Sequence, residues 1–210
     1  MRESLILLVG AGGHARACID VIEQAGIFQV GGLVGLPDEV GNSVLGYPIV
    51  GSDADLPAVI GDYAAAIVSV GQIKSPNLRM RLFGILEMGN CSTPTVVSPR
   101  ACVSRHATIG PGSIVLHGAV VNAGALVGSN CIINSQSLVE HDAVIADHCH
   151  IATAAVVNSA VQVGPGTFIG SGSIVRQGIT IGERCLVGMG QRVLADCEAG
   201  THIPTPKTRS

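Results

Sequence analysis

The chain has 210 residues, of which 47% are hydrophobic, 13% charged and 2% aromatic, with 28 Gly, 7 Cys and no Trp. A formal charge of -3 with 12 Lys and Arg offers no basic stripe for phosphate backbones, which excludes a nucleic-acid binder. No 18 apolar residues run unbroken, so no membrane span is expected, and an odd cysteine count without a Cys-x-x-Cys pair reads as reduced thiols in a cytoplasmic protein.

The chain opens on a strand-length apolar run, Leu5 to Val9, followed by Gly10-Ala11-Gly12-Gly13-His14-Ala15. Ala15, Cys18, Ile19 and Ile22 then fall on one face of a helix that stops near Gly26. Strand, Gly-rich turn and helix form a G-x-G-x-x-A unit, in which Gly12 lets backbone N–H groups approach a diphosphate at a helix N-terminus. A second strand, Val30 to Leu36, ends at Pro37-Asp38-Glu39, with Asp38 where an acidic residue can accept from a ribose or base. A third apolar run, Ala64 to Val70, ends in Gly71-Gln72, and Asn77 to Glu87 reads as a helix. This half domain, 1–92, suits a mononucleotide or nucleotide-sugar better than a dinucleotide. Thr93-Pro94-Thr95 marks the junction to the second half of the chain.

From Val97 to Val193 a Val or Ile returns at every sixth position without a slip. Four residues after each comes a slot of mostly small side chains, including Cys131, Cys149, Cys185 and Cys197. A period of six fits a short β-branched strand plus a turn, three of which close one triangular coil of a parallel β-helix over 93–200. Gly-rich tetrads such as Ile109-Gly110-Pro111-Gly112 supply turns, and 201–210, with Pro204 and Pro206, reads as a flexible tail.

Among the seven histidines none has a second His above or below it in an 18-residue coil, so no metal site is expected within one chain. His141 stands out in Glu140-His141-Asp142, at an outward turn position where the repeat asks for no particular residue. A carboxylate on one imidazole nitrogen fixes the tautomer and leaves the other nitrogen free to take a proton. His150 lies half a coil from His141, so a site using both has to lie between neighbouring solenoids, which predicts a symmetric oligomer.

These residues resemble the sugar acyltransferases that join a nucleotide-sugar-binding α/β unit to a left-handed β-helix, within the hexapeptide-repeat superfamily. The family includes UDP-4-amino-sugar N-acetyltransferases of the bacillosamine type and sialic acid O-acetyltransferase-like proteins. Its most specific pieces here are Gly10-Ala11-Gly12-Gly13-His14, Ile133-Asn134-Ser135, Val139-Glu140-His141-Asp142 and His148-Cys149-His150. The resemblance implies His141 as general base with Asp142 as its acidic partner. It implies Gly10, Gly12, Gly13, His14, Asp38, Gly71 and Asn134 on the sugar and nucleotide. It further implies His150 on the acetyl-CoA side, with coenzyme contacts near Ser159, Ser171, Gly188 and Met189. The expected activity is acetyl transfer from acetyl-CoA, without a metal, to the amino group of a UDP-linked 4-amino-4,6-dideoxy sugar. The expected assembly is a homotrimer with active sites between subunits. O-acetylation of sialic acid or another free sugar, and a non-catalytic nucleotide-sugar-binding solenoid, are the alternatives.

Overall fold

The computed structural model of the protein describes residues 4–205. Strand β1 (Leu5–Val9) is continuously apolar because both its faces are covered, and Ile6 to Val9 are fully buried. It leads into helix α1 (Gly13–Ala25), which ends on Gly26 in the left-handed region. There follow β2 (Gln29–Gly35), β3 (Ser43–Val44), β4 (Tyr47–Ser52), the short helix α2 (Leu56–Val59), β5 (Ala65–Val68) and α3 (Asn77–Met88). The sheet order is β3-β4-β2-β1-β5, parallel except for the β3–β4 pair. Pro48 and Gly51 break the apolar run of β4, which is why the sequence alone reads three strands rather than five.

Two cores flank this sheet. On one side Leu7, Val9 and Val68 pack with Leu56, Leu82, Phe83 and Leu86 from α2 and α3. On the other, α1 is sandwiched between the sheet and the β-helix, where Ile19 and Ile22 join one cluster with Val96, Ile114 and Ile132. Full burial of each such aliphatic side chain stabilises the fold by about 1.5–3 kcal/mol, so the two parts share a core.

The β-helix is left-handed and triangular. Its first face has seven strands, from Val96–Val97 to His202–Ile203; its second has six, from Cys102–Val103 to Arg192–Val193; its third has five, from Thr108–Ile109 to Thr180–Ile181. The hexad Val and Ile residues form one interior column per face, for example Val121, Val139, Val157 and Val175. The small slot does more than fit a corner. Ser113 Oγ donates to Gly128 O, Cys131 Sγ to Ala146 O, Cys149 Sγ to Gly164 O and Thr167 Oγ1 to Gly182 O. Each spans the same fifteen residues and satisfies a carbonyl that the turn leaves bare, and all seven cysteines are free thiols.

Two expectations are corrected at the C-terminal end. Cys197 does not occupy the small slot: it pairs with Ile181, and Ile203 pairs with Val187, each sixteen residues on rather than eighteen. Ala199 and Thr205 stand where the regular register asks for Val or Ile, and dropping two residues brings Cys197 and Ile203 to those places instead. The stretch expected as a tail therefore begins as part of the solenoid, since His202–Ile203 is a strand of the first face. Residues 206–210 of that stretch lie outside the described residues.

Candidate active site

Where the α/β unit meets the first face, a cleft of about 450 Å³ is lined by Gly12, Gly13, His14, Ser69, Val70, Gly71, Gln72, Ile73, Asn134 and His150. Six residues singled out by sequence converge on it from three places. The β1–α1 turn and the start of α1 supply Gly12, Gly13 and His14, the loop after β5 supplies Gly71, and the first face supplies Asn134 and His150. A Cβ at Gly12 or Gly13 would meet nothing within 4 Å, so the backbone itself borders open space at the start of α1. The first turn of a helix leaves N–H groups without intrahelical partners, which suits an anion.

His150 Nδ1 lies 2.6 Å from Gln72 O, and its Nε2 lies 3.0 Å from Asn134 Nδ2. The carbonyl fixes the proton on Nδ1, so Nε2 accepts from the Asn134 amide. The edge of the ring packs on Phe168 at a centroid distance of 5.1 Å. His14 lies across the cleft, its ring 6.4 Å from that of His150, and its buried Nε2 has no hydrogen-bond partner among the described residues. Such an orphaned polar atom is what a ligand hydroxyl or phosphate oxygen would satisfy.

Arg79, on α3 and 1% exposed, was not legible in the sequence as a site residue. Its Nη1 donates to Val68 O and Val70 O, and its Nη2 to Asn130 O and Oδ1, tying the loop after β5 to the solenoid. Burial lowers its pKa to about 10, so the guanidinium keeps its charge at neutral pH. Burial first, and this neighbouring charge second, push His14 down to about 3. Burial likewise lowers His150 to about 4, against the raising effect of its bond to Gln72 O, with Arg79 adding to the lowering. Both imidazoles are therefore neutral at pH 7.

The effect of these two groups on stability has a definite sign. The unfolded chain protonates both histidines below pH ~6.5, whereas the fold resists protonation until about pH 4 and 3. Stability is thus fully present above pH ~6.5 and falls as the pH drops through that window, by up to about 1.4 kcal/mol per pH unit for each group. Thermal melts from pH 7 to 4 are expected to show a falling Tm, with a shallower fall in His14→Gln.

A second cavity of about 210 Å³ shares Gly12 and Val70 with the cleft and is lined by Gly10, Val34, Leu36, Glu39, Asp53, Leu78 and Leu82 among others. Its acidic residue at the end of β2 is Glu39, not the expected Asp38. Pro37 opens a single 3-10 turn that leaves Asp38 exposed, while Glu39 Oε2 turns back to accept from Leu36 N–H at 2.8 Å. Asp53 pairs with Arg81 at 2.6 Å on the same rim.

His141 is elsewhere. Its turn joins the second-face strand Leu138–Val139 to the third-face strand Val144–Ile145, the vertex opposite the first face and its cleft. The side chain is 58% exposed, and its Nδ1 lies 2.8 Å from Asp142 Oδ2. The carboxylate holds the proton on Nδ1 and leaves the lone pair on Nε2. Glu140 Oε2 braces the same turn, accepting from His141 N–H at 3.1 Å and from Asn122 Nδ2 at 2.9 Å.

The residues expected at the coenzyme divide between two vertices. Ser159 lies one coil beyond His141, whereas Ser171, Gly188 and Met189 lie on the vertex between the first and second faces. His150, expected with them, stands instead in the cleft beside His14, because the α/β unit packs over that part of the first face. An open groove of about 590 Å³ on the second face brings Arg176, Arg192 and Gln177 together with Asn158, Ile174 and Leu194. Sequence reasoning missed the two arginines; the signal was Arg192 at an outward strand position held by Leu138, Val156 and Ile174 in earlier coils. Ser98, His117 and Asp20 also form a line, with Nδ1 2.6 Å from Ser98 Oγ and Nε2 2.7 Å from Asp20 Oδ2. Ser98 is 1% exposed, so this line braces α1 against the solenoid rather than presenting a nucleophile.

Among the described residues no group of three His, Cys, Asp or Glu side chains is arranged to hold a metal ion, and no helix is long and apolar enough to cross a membrane.

An α/β unit with a Gly-rich turn, seated on a left-handed hexapeptide β-helix, defines the class of the protein. The PglD N-terminal domain family matches residues 5–84. PerB from Caulobacter crescentus, solved with CoA and GDP-perosamine, is 30% identical with a TM-score of 0.86, over 95% of this chain and 93% of that one. A histidine-to-asparagine mutant of perosamine N-acetyltransferase from the same organism, also with CoA and GDP-perosamine, is 29% identical with a TM-score of 0.89 over the same shares. The acetyltransferase domain of PglB from Neisseria gonorrhoeae, with acetyl coenzyme A, is 27% identical with a TM-score of 0.87, over 96% of each chain. No curated protein matches the chain. The chain belongs to the sugar acetyltransferases of the hexapeptide-repeat superfamily.

Proposed function

We propose that the protein transfers the acetyl group of acetyl-CoA to the amino group of a nucleotide-linked sugar, specifically a UDP-linked 4-amino-4,6-dideoxy sugar. The observation that carries this reading is the two-part cavity at the N-terminus of α1. Open glycine backbone at Gly12 and Gly13 suits the diphosphate, the cavity bordered by Glu39 and Asp53 suits the nucleoside, and the cleft beside His14, Asn134 and His150 suits the sugar. The relatives bound to GDP-perosamine and to acetyl coenzyme A support the same pairing of substrates.

The reaction needs a base, and the exposed Nε2 of His141 suits that role. As the acceptor amine bonds to the acetyl carbonyl carbon and the C–S bond breaks, His141 takes the amine proton and passes it to the departing sulfur, so coenzyme A leaves as the thiol. The cleft and His141 lie on opposite sides of one solenoid, so the site is completed by His141 of a second copy. A homotrimer is supported by the outward column of the second face, whose first five positions, Cys102, Val120, Leu138, Val156 and Ile174, are apolar before Arg192 ends it, with Ile174 43% exposed. The arginine pair of the groove, Arg176 and Arg192, suits the phosphates of coenzyme A.

A thiol-release assay with acetyl-CoA tests the reading. Turnover with the UDP-linked 4-amino sugar supports it. Turnover only with a GDP-linked amino sugar would retain the chemistry and reject uridine as the nucleoside, and turnover only with free sialic acid would reject the nucleotide.

A further inference from the structure

The turn that carries His141 rests on the turn one coil earlier, residues 122–124, and that lower turn is shaped to the acidic pair around the imidazole. Asn122 holds Glu140. Asp142 sits in the left-handed region at φ 59, its N–H donating to Ala123 O at 3.2 Å. Beneath its carboxylate lies Gly124, where a Cβ would overlap Asp142 Oδ1. The neighbour above Asp142 in the same stack is Ala160, and His141 is flanked by Ala123 and Ser159, so the dyad stands among small side chains.

We infer that Gly124 is a positioning residue: its missing side chain is the space in which the Asp142 carboxylate lies to hold His141 Nδ1. This inference rests on the proposed role of His141 as base. Backbone conformation alone does not explain the glycine. Gly124 has φ 74, but Ala154 and Ala160 adopt φ 55 and 57 at equivalent turn positions, so the turn tolerates alanine. Gly178, three coils further in the same stack at φ 69, has nothing within 4 Å of its Cβ position. Alanine at 178 therefore carries the conformational strain without the collision, and alanine at 124 carries both.

The experiment compares Gly124→Ala, Gly178→Ala, Asp142→Ala and the Gly124→Ala/Asp142→Ala double variant by steady-state kinetics and thermal melting. Gly124→Ala is expected to lower kcat about tenfold, a part of the about 10²–10⁴ that a positioned base supplies, with both KM values unchanged. Its Tm is expected to match that of Gly178→Ala, whose kcat stays at the wild-type value. In the Asp142→Ala background the Gly124→Ala change is expected to add nothing, the mark of two residues acting through one contact. Equal kcat for the two glycine variants, or a full effect of Gly124→Ala without the carboxylate, would overturn the inference. Nitrogen-15 NMR of labelled histidine, with His141 assigned from His141→Gln, reads the same contact without turnover. At pH 8.5 the Nδ1–H tautomer of His141 is expected in the wild type and lost in Gly124→Ala. Its retention would overturn the role of Gly124, whereas its loss in a protein that acetylates no sugar would sustain the contact and reject the enzymatic reading.

Discussion

Replacing His141 by alanine is expected to lower kcat by about 10²–10⁴, the usual contribution of a positioned general base. The KM for both substrates is expected to stay within a small factor of wild type, because the imidazole touches neither the glycine cradle nor the second-face groove. Thermal stability should change little, since the side chain is 58% exposed and its partner Asp142 is itself 67% exposed. Steady-state kinetics and a melting curve check both halves. A loss of kcat accompanied by a large loss of Tm would assign His141 a structural role instead.

Gly12→Asp is expected to act on binding rather than on the chemical step. Gly12 is the N-cap of α1 with extended φ and ψ of -75 and -166, a conformation open to any residue, and its Cβ position is clear of neighbours within 4 Å. Aspartate is among the favoured N-cap residues, so the helix loses nothing and gains a few tenths of a kcal/mol. The new carboxylate, however, stands where a diphosphate would lie. Two unit charges about 4 Å apart repel by about 4 kcal/mol at an effective dielectric near 20, which corresponds to a rise in KM for the nucleotide-sugar of at least about a hundredfold. The KM for acetyl-CoA is expected to be unchanged. An unaffected nucleotide-sugar KM would remove the diphosphate from the N-terminus of α1.

The solenoid was legible because each face sends one column of side chains into the interior, met once per strand, so three-dimensional packing repeats directly as a sequence period of six. It ceased to be legible where the register slips, at Cys197 and Ile203, because a shortened coil is recognised only from which strands pair. In the cleft, Gly12, Gly13 and Gly71 were readable from strand, turn and helix signals that are local. His150 was readable as chemistry but not as a place: its position beside Gln72 depends on how the α/β unit docks on the first face, which no periodicity encodes. Asp38 and Glu39 differ by one residue in sequence, and the 3-10 turn begun by Pro37 decides which of them faces the cavity. Nothing local in the sequence marks Arg79, since an arginine with its charge buried is unusual without several carbonyl partners, and those come from Val68, Val70 and Asn130, outside its own helix.

The central claim is that each active site joins the cleft of one chain to His141 of another. The direct measurement is co-expression of His141→Ala chains with Gly12→Asp chains, purification of the mixed oligomer, and assay of acetyl transfer beside each variant alone. With the nucleotide-sugar held near the wild-type KM, far below that of Gly12→Asp, each variant alone is expected to be nearly inactive. In a cyclic trimer of randomly mixed subunits about a quarter of the sites pair an intact cleft with an intact His141, so about a quarter of wild-type activity is expected to return. Mixed oligomers verified by native mass spectrometry that regain no activity would contradict the account and place the whole reaction within one chain.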